Sequence, residues 1–129
     1  MAVDLNNTLA DLILDRYDTH FPAGSLLQLR TGAPAGAENA AGGSLLAEIT
    51  TPATPWSSAS GGGKAKNGTW SVAASGAGSA GHYRLKNAAD TLREEGVVTA
   101  SGAGGDMTLD NVSVAVAQVV TINTFTKNL

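Results

Sequence analysis

The chain has no cysteine, which removes disulfide frameworks and thiolate metal sites. Aromatic residues are scarce, with two Trp, two Tyr and two Phe in 129 residues. Burial is the expected fate of so few rings, because each covers a large apolar area in a core. Only two histidines occur, His20 and His82. Neither stands in an H-x-x-x-H spacing, and no G-x-S-x-G elbow offers a nucleophile. Both read as surface or helix-end side chains. Eight basic against eleven acidic residues give a net charge of −3 with no basic block. The electrostatic footprint of a nucleic-acid binder is therefore missing. No apolar run approaches the roughly 18 residues that cross a bilayer as a helix. The first residues also lack the basic start and apolar run of a signal peptide. The expectation is a soluble protein with no export signal of its own and no membrane or nucleic-acid partner.

What is present in excess is glycine, 16 residues, about 12% against roughly 7% on average. With many Ala, Ser and Thr, that excess suits short strands and tight turns. The length fits one domain, 1–129, with enough chain to bury a core. Only one stretch reads as a helix. Leu5, Leu9, Leu12, Ile13 and Tyr17 recur at helical spacing and form one apolar stripe, predicting an amphipathic helix over 5–19. Asn6 or Asn7 can cap its start, and Pro22 and Gly24 end it. Asp11, Asp15 and Asp18 lie off the stripe, with Leu14 misplaced among them. The stripe predicts docking through Leu9, Leu12 and Ile13, onto the domain or onto a partner.

Two-residue alternation marks the strands that follow. Ser25–Thr31 points Leu27 and Leu29 to one face, and Ser44–Thr50 turns Leu45, Ala47 and Ile49 inward. Residues 32–43 read as a surface loop and 57–63 as a flexible connection. Thr69–Ser75 places Trp70 and Val72 together. Residues 81–86 and 91–99 can pair as a hairpin across 87–90, with Tyr83 and Leu85 alternating, then Leu92 and Val98. The organising strand is Val119–Thr126, with Val120 and Ile122 on one face. Val119, Thr121, Asn123 and Phe125 take the other. Asp106–Asp110 is its expected partner. The fold class expected is mainly β, an antiparallel sandwich or barrel-like fold over 25–126 behind one N-terminal amphipathic helix.

Chemistry-bearing motifs are few. Gly76–Gly81 matches G-x-G-x-x-G after a strand, but no βαβ unit surrounds it. It reads as a connector without a phosphate ligand. Asp106, Asp110 and Asn111 lack the EF-hand pattern and read as turn residues. Glu94 and Glu95 are adjacent in a strand and so face opposite sides, which makes a poor catalytic dyad. They read as a solvated pair. Lys64 and Lys66 form a basic spot too small for nucleic acid. Trp56, Trp70, Tyr17 and Tyr83 could build a sugar-stacking platform, although burial is the default. No catalytic residue, metal ligand or cofactor site is assigned, and the expectation is a protein that is not an enzyme.

Three segments together carry a resemblance. They are the amphipathic helix running into Gly24-Ser-Leu-Leu-Gln-Leu-Arg-Thr-Gly-Ala-Pro34, then Gly43-Ser-Leu-Leu-Ala-Glu-Ile-Thr50, and Thr99-Ala-Ser-Gly-Ala-Gly-Gly-Asp-Met-Thr-Leu-Asp-Asn111 closing with Val120-Thr-Ile-Asn-Thr-Phe125. Lys64–Trp70 and Gly78–Arg84 fit the same pattern. This arrangement resembles small structural proteins of tailed bacteriophages, similar in size and composition to head decoration, or cement, proteins. The resemblance implies a virion location and the major capsid protein lattice as partner, and an apolar helix face or sheet face could complete its burial in a small homo-oligomer. It carries no catalytic residues. Leu9, Leu12, Ile13 and Trp56 are the candidate partner contacts. A tail, neck or fibre-associated role and a carbohydrate-binding module are the alternatives.

Overall fold

A computed structural model describes residues 4–129. Leu5 and all later elements fall within that range. Among the described residues two short helices come first, α1 (Asn7–Leu14) and α2 (Arg16–His20). Nine strands follow: β1 (Leu26–Thr31), β2 (Leu45–Thr50), β3 (Gly63–Ala65), β4 (Ser71–Ala73), β5 (Gly78–Lys86), β6 (Arg93–Ala100), β7 (Met107–Leu109), β8 (Ser113–Val114) and β9 (Val119–Asn128). The expected mainly β, barrel-like class with an N-terminal helix is what forms.

The sheet runs β2-β1-β5-β6-β7-β9-β3, with β4 also on β9 and β8 also on β5. Its pairs are antiparallel except β6 with β7, which are parallel. It curls into a half-barrel. The backbone N–H groups of Ser75 and Gly76, just past β4, both donate to the Leu46 carbonyl in β2. Those two bonds bring the far ends of the sheet together and limit its free edge.

Bulges decide which side chains face the core. Opposite β7, Met107 pairs with Phe125 and Thr108 with Thr124, but Leu109 pairs with Ile122. Asn123 is thus the extra residue. A bulge shifts the two-residue alternation by one, so Phe125 turns inward with Val120 and Ile122 and is fully buried. The expected placement of Phe125 on the face opposite Val120 and Ile122 is corrected by that bulge. In β2, Leu29 pairs with Ala47 and Arg30 with Leu45. Leu46 is skipped, and it is fully buried while Leu45 is only half-buried. Leu27, Leu29, Ala47 and Ile49 face inward as expected.

The hairpin β5–β6 forms with Tyr83 and Leu85 buried, whereas Leu92 precedes β6 and is exposed. The aromatic residues gather in the core rather than on a surface. Phe125 lies 4.8 Å from Tyr83, 5.5 Å from Trp56 and 5.8 Å from Trp70, ring centre to ring centre. Tyr17 packs at 5.5 Å from Trp56 and 5.6 Å from Phe21. The sugar-stacking platform is therefore replaced by an internal cluster.

Gly76–Gly81 is not a free connector. Residues 78–81 belong to β5, where Gly78 and Ser79 pair with β8. A Cβ on Gly76 would meet the Leu45 carbonyl oxygen at 2.5 Å, and one on Gly81 would meet that of Gly32 at 2.4 Å. These glycines permit backbones to approach one another. Residues 57–63 are likewise tied down, by the Ser60–Gly63 bridge and by side chains from α1 and its end.

Candidate functional site

The N-terminal helix docks with the opposite face from the one its apolar stripe suggested. Asn6 caps α1, its side chain accepting from the Leu9 N–H at 3.0 Å. Positions 10, 11, 14 and 15 share one arc of a 3.6-residue helix, and that arc meets the domain. Ala10 and Leu14 are buried there. Asp11 Oδ1 accepts from the Gly62 N–H at 2.8 Å, and Asp15 Oδ1 from the Ala59 N–H at 3.0 Å. Lys64 reaches out from β3 with a fully buried side chain to Asp15 at 2.8 Å and Asp18 at 3.2 Å. The ammonium of Lys64, as a hydrogen-bond donor, holds the Asp15 carboxyl below the usual carboxylate range. Lys64 is thus a helix clamp and not part of a surface basic spot.

The cost of this arrangement is that Leu9, Leu12 and Ile13 stand outside, 46%, 65% and 44% exposed. The structure keeps these three together and accessible. Trp56 is separated from them: it is buried, and its indole N–H donates to the Phe21 carbonyl at 3.0 Å. Ile13 borders two depressions. One, of about 290 Å³, is mostly apolar and runs by Tyr17, Phe21 and Leu92. The other, of about 430 Å³, reaches Tyr83, Glu94, Asp106 and Lys127.

The floor of the larger depression is an ionic cluster. Tyr17 and Tyr83 donate their hydroxyls to the two oxygens of Glu94, Tyr83 at 2.7 Å. Lys127 contacts Glu94 and donates to the Tyr83 hydroxyl at 2.8 Å. Its ammonium lies over Phe125, 3.8 Å from the ring centre, and near the rings of Tyr83 and Tyr17. Burial pushes both phenols well above the tyrosine range, and the Glu94 charge adds to that. Burial also pushes the Lys127 amine down, with Glu94 opposing it.

On the other face of β6, Glu95 accepts from Arg84 Nε at 2.9 Å and from the Gly36 N–H at 2.7 Å. The expected opposite orientation of the two glutamates holds, but neither is freely solvated, because β5 carries polar partners on both faces. Arg84 also donates to the carbonyls of Gly36 and Asn39, which fastens the 32–43 loop to the sheet. His82 is fully buried rather than at the surface. Its Nδ1 lies 2.9 Å from the Gly32 carbonyl, and its Nε2 has no partner, with Glu95 3.9 Å away. His20 ends α2 and is exposed, as expected. Alternation alone could have placed Glu94 beside Tyr83, but nothing in the sequence pattern paired Lys127 with either.

Among the described residues, no group of three or more His, Asp or Glu is arranged to hold a metal ion. No helix among them is long and apolar enough to cross a membrane. The class defined by fold and surface is a barrel-like β domain carrying an N-terminal helix with an exposed apolar face. No family model, curated protein or solved structure matches the chain.

Proposed function

We propose that this is a non-enzymatic virion structural protein of the head-decoration class, which binds an assembled capsid lattice and stabilises it. The observation that carries the reading is the exposed Leu9/Leu12/Ile13 face on a helix already anchored by its opposite side. Three clustered aliphatic side chains on a fixed helix form a surface that gains by being covered. Full burial of each is worth about 1.5–3 kcal/mol, and roughly half of that remains available at their present exposure. Such a modest gain per copy suits a protein that acts in many copies. A lattice ligand stabilises the shell by mass action, because it binds the assembled state and not the separated subunits. The resemblance of the Gly24–Pro34, Gly43–Thr50 and Thr99–Asn111 segments to phage structural proteins supports the virion setting. Self-association through the same face is the competing use of it.

Purified protein should add to pre-formed capsids that lack it and saturate at a stoichiometry commensurate with capsid symmetry. It should bind unassembled major capsid protein far less, and Leu12→Asp should abolish the addition without lowering the melting temperature. A net charge of −3 without a basic block offers little electrostatic steering, so moderate salt should change binding only slightly. Labelled protein that sediments with tails and leaves heads bare would replace this reading with a tail role.

A further inference from the structure

We propose that Lys127 and Glu94 condense to a side-chain amide, an isopeptide bond that staples β9 to β6. The two groups already touch, 33 residues apart in sequence. Their surroundings differ from those of an ordinary surface pair. The Lys127 side chain is 10% exposed and that of Glu94 21%, and aromatic rings take the place of water around the amine. A desolvated amine gives up its proton more readily, which exposes the nitrogen lone pair. The Tyr17 and Tyr83 hydroxyls bond to both carboxyl oxygens. They draw electron density from the carboxyl carbon and stand ready to stabilise an oxyanion on it.

The step balances without a co-reactant. One proton passes from the Lys127 ammonium to the Glu94 carboxylate, giving a neutral amine and a carboxylic acid. The Nζ lone pair attacks Cδ and forms the C–N bond. One carboxyl oxygen then leaves with its proton and a second proton from nitrogen, as water, and the product is a secondary amide. No electron is gained or lost. The depression above the cluster gives the water a way out, and Asp106 lines it as a second carboxylate able to relay a proton. Lys64 shares a buried amine, but the Asp15 and Asp18 side chains that it contacts are 44% and 54% exposed.

Intact mass of the purified, denatured chain tests the bond and does not depend on any variant folding. The wild type should weigh one water less than its sequence. Trypsin should then fail to cut after Lys127, leaving one peptide spanning 94–129 that is lighter by one water. Lys127→Arg should restore the full sequence mass. Glu94→Gln, which would release ammonia instead, should be lighter than its own sequence by one ammonia. A wild-type chain at its full sequence mass, cut normally after Lys127, overturns the proposal and leaves an ion pair only. That outcome would not touch the capsid-docking reading, which rests on the exposure of Leu9, Leu12 and Ile13.

Discussion

Leu12 and Leu14 lie two residues apart in one helix, and the structure assigns them opposite fates. Leu14 is 2% exposed and Leu12 is 65% exposed. Replacing either by alanine removes the same atoms and exchanges two good helix formers, so the difference between the variants isolates burial. At Leu14 the lost transfer energy and the cavity left behind should together cost about 2–5 kcal/mol. At Leu12 the loss should stay within roughly 0.5 kcal/mol, as for other surface changes. With a slope of roughly 4 °C per kcal/mol for a domain of this size, Leu14→Ala should melt roughly 8–20 °C lower. Leu12→Ala should melt within a few degrees of the wild type. Urea unfolding should show the same order in midpoint with little change in slope. Running the melts at two concentrations separates self-association from internal packing. A Leu12→Ala deficit that shrinks at the lower concentration belongs to an oligomer contact. A concentration-independent Leu12→Ala loss equal to or larger than that of Leu14→Ala would refute the assigned helix orientation.

Lys64→Ala should destabilise by about 2 kcal/mol from the three buried methylenes that it removes, at roughly 0.8 kcal/mol each, and circular dichroism melting would register it. Because the Asp15 pKa is depressed in the folded state, its contribution is present above the unfolded carboxylate pKa. It is lost as pH falls through the lower folded value, so the gap between wild type and Lys64→Ala should narrow in acid. The two tyrosines shift the opposite way, upward. Their contribution is complete below the unfolded tyrosine pKa of about 10 and fades as pH rises toward the folded values. Phenolate absorbance should therefore appear in one step with unfolding, and a gradual titration centred near that unfolded value would show that the phenols are not buried as described.

The fold class was legible because alternation and turn residues are local signals, and nearly every expected strand forms. What alternation could not show was where it breaks. Phe125 and Leu46 each follow the rule of their neighbours in sequence, yet both are displaced by a bulge that depends on the facing strand. The helix forms, but the face it turns to the domain differs for another reason. Its apolar stripe was real, but the domain offered α1 the Lys64 ammonium and the N–H groups of Ala59 and Gly62, and three acids satisfied them. Pairing buried donors outweighed covering Leu9, Leu12 and Ile13, because a donor left without a partner costs more than an exposed leucine. The Glu94 cluster was out of reach, since Tyr17, Tyr83, Glu94 and Lys127 come from three distant segments.

One backbone irregularity links the core to that cluster. Asn123 has no partner in β7, and its side chain instead donates to Ser101 Oγ at 2.6 Å. Without the extra residue, Phe125 and Lys127 would share the outward face of β9 with Val119 and Thr121. Phe125 would then leave Trp56, Trp70 and Tyr83 without their common neighbour. Lys127, two residues further on the same face as Phe125, would leave Glu94 and the two tyrosine hydroxyls without their cation. Glu94 would face a partly buried position with only neutral donors, which is a costly state for a carboxylate. The bulge therefore sets both the aromatic core and the ionic cluster from a single exposed position. The same shift puts an amine, a carboxyl group and two phenols in contact in the depression that Ile13 and Leu14 of α1 border.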